Sequence, residues 1–119
     1  MAPATGYRFR PASRLRRTVE FGAVFSRRRV LRGDWFHLHY TSGGQAARLG
    51  LVVAKKLARR AVWRNAVKRI GREAFRHCLP GLPPLDLILR LAKRVDGVDA
   101  TRRRAWRAEI DGLLAKLPK

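Results

Sequence analysis

The chain has 119 residues, of which 28 are Lys or Arg and 8 are Asp or Glu, for a formal net charge of +20 with 46% apolar side chains. That composition describes one domain with a single modest core. Its field gathers polyanions at cellular salt, so nucleic acid stands ahead of an anionic membrane as the expected partner.

No apolar run reaches the roughly 18 residues of a membrane span, and the first ten residues lack the apolar centre of a signal peptide. The single cysteine, Cys78, has no partner for an internal disulfide and is read as a small core residue. A cytoplasmic setting is expected.

Residues 1–12 contain Pro3, Pro11, Gly6, Arg8 and Arg10 without periodicity. They read as a flexible basic arm, followed by a single RNA-binding domain over 13–119. Thr18 is placed to cap a helix with Glu20 in its first turn. Phe21, Val24 and Phe25 share one face of that helix. Two readings stay open for these aromatics: core packing, or a platform for unpaired bases at about 1–3 kcal/mol per stack. Arg27, Arg28 and Arg29 complement the negative end of the helix, and Gly33 with Asp34 makes a turn.

Residues 35–40 alternate as a strand, with Phe36, Leu38 and Tyr40 on one face and Trp35, His37 and His39 on the other. A His-x-His pair is a zinc motif, but His77 is the only other histidine and no acid cluster adjoins it. The favoured reading is a face of flat, hydrogen-bonding rings open to nucleic acid, with no metal or other cofactor bound by the protein. The turn at 41–45 leads into an antiparallel strand over 48–54.

Residues 55–76 carry nine cations against one acid, Glu73. At about 100° per residue, Trp63, Val67, Ile70 and Ala74 form one stripe. Arg64, Lys68, Arg72 and Arg76 line the opposite face, with Asn65 and Arg69 beside them. Like charges at this spacing repel, and a polyanion relieves the repulsion; the plain alternative is a solvated basic face with no specific partner. Guanidinium groups form paired hydrogen bonds to phosphate, and Asn65 suits a base edge or a neighbouring backbone.

Pro80-Gly81 and Pro83-Pro84 end the helical region. A strand over 85–92 then places Leu87, Leu89 and Leu91 on the core side, with Ile88 and Arg90 on the other. Asp99 or Thr101 caps a last helix whose buried stripe is Trp106, Ile110, Leu113, Leu114 and Leu117. The order α-β-β-α-β-α implies a two-layer α/β (α+β) sandwich, one small mixed β-sheet packed with about three helices. Neither paired carboxylates nor an oriented acid–base pair is evident, so the protein is expected to bind nucleic acid without hydrolytic chemistry of its own.

The run Leu49-Gly50-Leu51-Val52-Val53-Ala54-Lys55-Lys56 is followed by Arg60-Ala61-Val62, Arg64-Asn65, Lys68-Arg69, Arg72-Glu73 and Phe75-Arg76. Together these closely resemble the signature of the bacterial ribonuclease P protein component, with Ala66 where that signature usually carries a cation. The resemblance implies a protein that docks on a magnesium-dependent catalytic RNA and guides the 5′ leader of precursor tRNA. It assigns RNA contacts to Lys55, Lys56, Arg60, Arg64, Asn65, Lys68, Arg69 and Arg72, and a leader cleft to Phe21, Phe25, His37 and His39. It also implies a left-handed βαβ crossover where the general rule gives a right-handed one, and no obligate protein partner. The alternative function is a ribosomal or ribosome-assembly protein of similar size and charge.

Overall fold

A run of bulky side chains with period-two alternation builds three of the four strands: β2 (Phe36–Ser42), β3 (Arg48–Val52) and β4 (Leu85–Leu91). The computed structural model describes residues 29–43 and 45–118, and adds a short strand, β1 (Val30–Arg32). Two helices follow the strands in the pattern expected: α1 (Ala61–Cys78), extended by a 3₁₀ turn at Leu79–Gly81, and α2 (Ala100–Ala115). The expected first helix, with Phe21 and Phe25, lies outside the described residues.

The sheet order is β1-β2-β4-β3. β1 and β4 flank β2 antiparallel, while β3 and β4 run parallel, joined across α1. The mixed two-layer α+β class therefore holds, with two corrections to the chain-order reading. Val30–Arg32, passed over between an expected helix end and a turn, is an edge strand paired with 37–39. The return strand after residues 41–45 does not pair with β2, because β4 is inserted between them. β4 is the strand with apolar residues on both faces, Leu87, Ile88 and Leu89 all being buried, and such a run belongs in the middle of a sheet.

Phe36, Leu38, Leu49, Leu87, Leu89 and Leu91 supply the sheet's side of the core, against Val67, Ile70, Ala74 and Phe75 of α1 and Trp106, Ile110, Leu113 and Leu114 of α2. Gly71 is the point of closest approach: a Cβ there would stand 3.0 Å from Leu51 Cδ2 and 3.1 Å from Leu89 Cδ2. The missing side chain lets α1 lie directly on the parallel pair. This sets the buried line of α1 through Val67, Ile70, Gly71, Ala74 and Phe75, with Trp63 only at its edge.

Of the two possible caps, Asp99 holds α2, its carboxylate accepting from Arg102 N at 2.7 Å. Trp106 packs edge-on against Trp35 and Phe36, at centroid distances of 5.7 and 6.4 Å. One turn along, the Glu109 carboxylate accepts the backbone N–H groups of Trp35 at 2.9 Å and Phe36 at 2.7 Å. The start of β2 is thereby tied to α2.

Candidate nucleic-acid interface

The segment between β3 and α1 places Lys55, Lys56, Arg59 and Arg60 in solvent, yet its backbone is pinned. Ala54 O accepts from Leu57 N and Ala58 N, both at 3.1 Å, and Leu57 O accepts from Val95 N at 2.7 Å. The Ala58 side chain is fully buried. Arg64 completes the arrangement from the first turn of α1: its Nη1 donates to Ala58 O at 2.9 Å and Arg59 O at 3.0 Å. Arg60 stacks on the Trp63 ring at 5.5 Å, holding its charge at the surface. These cations are thus displayed by a frame that is set before any ligand arrives.

Along α1 the outermost line is Asn65 and Arg69, while Arg64, Lys68, Arg72 and Arg76 are half-buried. The buried stripe, displaced toward Gly71 and Phe75, turns Arg64 and Lys68 to the shoulder of the helix instead of its crest. Two shallow grooves meet at Arg69. One of about 300 Å³ is lined by Val62, Asn65, Ala66, Arg69 and Arg103. The other, of about 260 Å³, is lined by Arg69, Arg72, Glu73 and Arg76. No ion pair within the described residues neutralises Lys55, Lys56, Arg60, Lys68 or Arg69.

The opposite sheet face brings His37 and His39 together with Arg90, which is His37's register partner across β2 and β4. Arg90 Nη2 lies 2.9 Å from His37 Nδ1, and Arg90 Nε lies 3.4 Å from His39 Nε2. A guanidinium only donates, so both ring nitrogens accept and each neutral ring carries its proton on the other nitrogen. Burial, then the Arg90 charge, holds both imidazoles below their ordinary pKa of 6.5. Ile88, expected on an open face beside Arg90, is fully buried. Polar groups on this face include the His37–His39–Arg90 group, Arg32 opposite His37, and an Arg48–Asp86 pair with two 2.9 Å hydrogen bonds. Among the described residues, no three His, Cys, Asp or Glu side chains converge as metal ligands.

The chain matches the ribonuclease P family over residues 9–117. It is 50% identical to the ribonuclease P protein component of Azoarcus sp., covering 94% of this chain and 92% of the relative. It is 45% identical to that of Bordetella petrii, covering 90% and 93%. The chain belongs to the ribonuclease P protein family.

Two solved structures agree with the fold. The ribonuclease P protein from Thermotoga maritima superposes with TM-score 0.73 at 28% identity, over 89% of this chain and 98% of that one. The Staphylococcus aureus protein superposes with TM-score 0.77 at 21% identity, over 87% and 93%. As a family member the chain is the protein subunit of ribonuclease P, a ribonucleoprotein of tRNA 5′ maturation, and its partner is the ribonuclease P RNA.

In this family member the whole signature from Leu49 to Arg76 lies in β3, the pinned loop and α1, so the residues expected to contact RNA are carried by one loop and the helix that follows it. His37 and His39 are brought together as expected. Phe21 and Phe25 lie outside the described residues. Sequence reasoning placed Arg90 only on the strand face away from the core leucines, and its position opposite His37 follows from a strand register that no local pattern encodes. Arg103 was not singled out, since it stands among other arginines with no motif. No helix among the described residues is long and apolar enough to cross a membrane.

Proposed function

We propose that this subunit works through two surfaces while the RNA subunit, with magnesium, carries out the hydrolysis. Lys55, Lys56, Arg60, Arg64, Asn65, Lys68, Arg69 and Arg72 hold the RNA subunit's phosphates near the reacting bond, offsetting repulsion that added magnesium would otherwise screen. Phe21, Phe25, His37 and His39, joined by Arg90, receive the 5′ leader of precursor tRNA in the cytoplasm. The protein raises substrate affinity by holding the leader and supplies no acid, base or metal ligand to the reaction.

The observation that carries this reading is the pinned loop and helix with Lys55, Lys56, Arg60, Lys68 and Arg69, which no acid among the described residues neutralises. Fixed charges on a rigid frame bind polyanion without the ordering cost of a flexible basic tail. The test is the affinity of the chain for its catalytic RNA over a range of salt. Lys68→Ala and Arg69→Ala should each weaken binding by about 1–2 kcal/mol and make the salt slope shallower by roughly one contact. Unchanged slopes in both variants would remove the phosphate-holding role.

A further inference from the structure

The N-terminal halves of α1 and α2 border the shallow groove of about 300 Å³ lined by Val62, Asn65, Ala66, Arg69 and Arg103. Its composition differs from the rest of the basic surface. Two guanidinium groups reach it from different helices. Asn65 offers an amide with both donors and an acceptor. Val62, 65% exposed, is the one large apolar side chain exposed among the described residues. Ala66 contributes only a methyl group, which leaves the space open.

Two of the four arginines of α2 are engaged away from the groove. Arg102 lies over the Trp35 ring at 5.0 Å and donates to Gly97 O, and Arg107 is bonded to Asp111 at 3.1 Å. Arg103 and Arg104 are both exposed, with no described acid paired to either side chain, and of the two only Arg103 lines the groove. Two unneutralised cations lining one small groove disfavour each other until an anion enters between them.

We infer that this groove is a pocket for one nucleotide of the ribonuclease P RNA, its phosphate held between Arg69 and Arg103 and its base or sugar seated on Val62 beside Asn65. The inference rests on the RNA-docking role of α1, with which the groove is continuous through Asn65 and Arg69. It extends the RNA surface onto α2, making Arg103 a binding residue outside the signature. The RNA subunit is the source of the nucleotide because two of the groove's lining residues, Asn65 and Arg69, belong to the docking set of α1.

The experiment measures affinity and salt slope of the full chain for the catalytic RNA, and separately for precursor tRNA alone, with thermal melting as a folding control. Arg103→Ala should lose roughly tenfold in affinity for the catalytic RNA, with a slope shallower by about one contact, at unchanged melting temperature. Ala66→Leu keeps every charge but fills the groove, and should show a comparable loss. Arg104→Ala, exposed on the same helix but outside the groove, should stay within about twofold. If Arg103→Ala behaves like Arg104→Ala while Lys68→Ala still weakens binding, the pocket is overturned and the docking role of α1 stands. If Lys68→Ala is also silent, the docking role falls and the pocket falls with it. A loss seen only with precursor tRNA overturns the assignment to the RNA subunit.

Discussion

Arg90 Nη2 and His37 Nδ1 meet at 2.9 Å across the β4–β2 pair, and the contact requires the imidazole to be neutral on that side. The same guanidinium reaches His39 through Nε at 3.4 Å, so one cation is steadied by two rings that must both stay neutral. Two neutral acceptors aim a permanent charge out of a partly buried sheet face.

Both imidazoles have pKa values lowered from 6.5, by burial first and Arg90 second, so the unfolded chain takes up protons at higher pH than the folded chain. Their contribution to stability is therefore fully present above about pH 6.5 and is lost as pH falls through the lowered folded values. Urea midpoints measured from about pH 8 to pH 5 should decline in that lower window. The double variant His37→Asn with His39→Gln keeps acceptors near the same positions without titrating, and should flatten the decline. An equally steep decline in the double variant would place its origin elsewhere.

Arg64 does two jobs that a single alanine substitution confounds. Its Nη1 ties Ala58 O and Arg59 O, and it also belongs to the docking surface. Arg64→Lys keeps the charge and loses the fork. It should cost about 1–2 kcal/mol of stability while retaining most of the salt dependence of RNA binding. Urea unfolding and the salt slope, measured on the same variant, separate the two roles. A wild-type urea midpoint would mean that the carbonyl contacts add nothing to stability.

Glu109 carries a third prediction. Its carboxylate satisfies the part-buried N–H groups of Trp35 and Phe36, so Glu109→Ala leaves two backbone donors unsatisfied and should destabilise by about 2–3 kcal/mol. Glu109→Gln retains one acceptor oxygen and should recover a good part of that loss in urea unfolding. Equal losses for the two variants would point to packing around Trp106 instead of the hydrogen bonds.

The elements that can be read from the chain are those whose signal is local. Alternation at residues 36–40 sorted Phe36 and Leu38 from His37 and His39, and the helical stripe of Trp106, Ile110, Leu113 and Leu114 is the one buried. What was not legible depends on contacts distant in sequence. The turn after β2 pointed to a hairpin, whereas Gly50 lies opposite Ile88 and not opposite any residue of β2. Gly71 reads as a weak point in a helix until Leu51 and Leu89 are seen beneath it. At the candidate site, the charge of α1 was plain from composition. The pinning of its loop by Arg64 was hidden because a side-chain bond to a carbonyl leaves no mark on spacing. Val30–Arg32 is too short to show a period.

The most direct test of the account is precursor tRNA cleavage at low magnesium by the catalytic RNA, measured with and without this chain and with the chain alone after nuclease treatment. The account predicts slow cleavage by the RNA alone, a marked increase when the chain is added, and none by the chain alone. Cleavage by the nuclease-treated chain without RNA, or an RNA rate that the chain leaves unchanged, would contradict it.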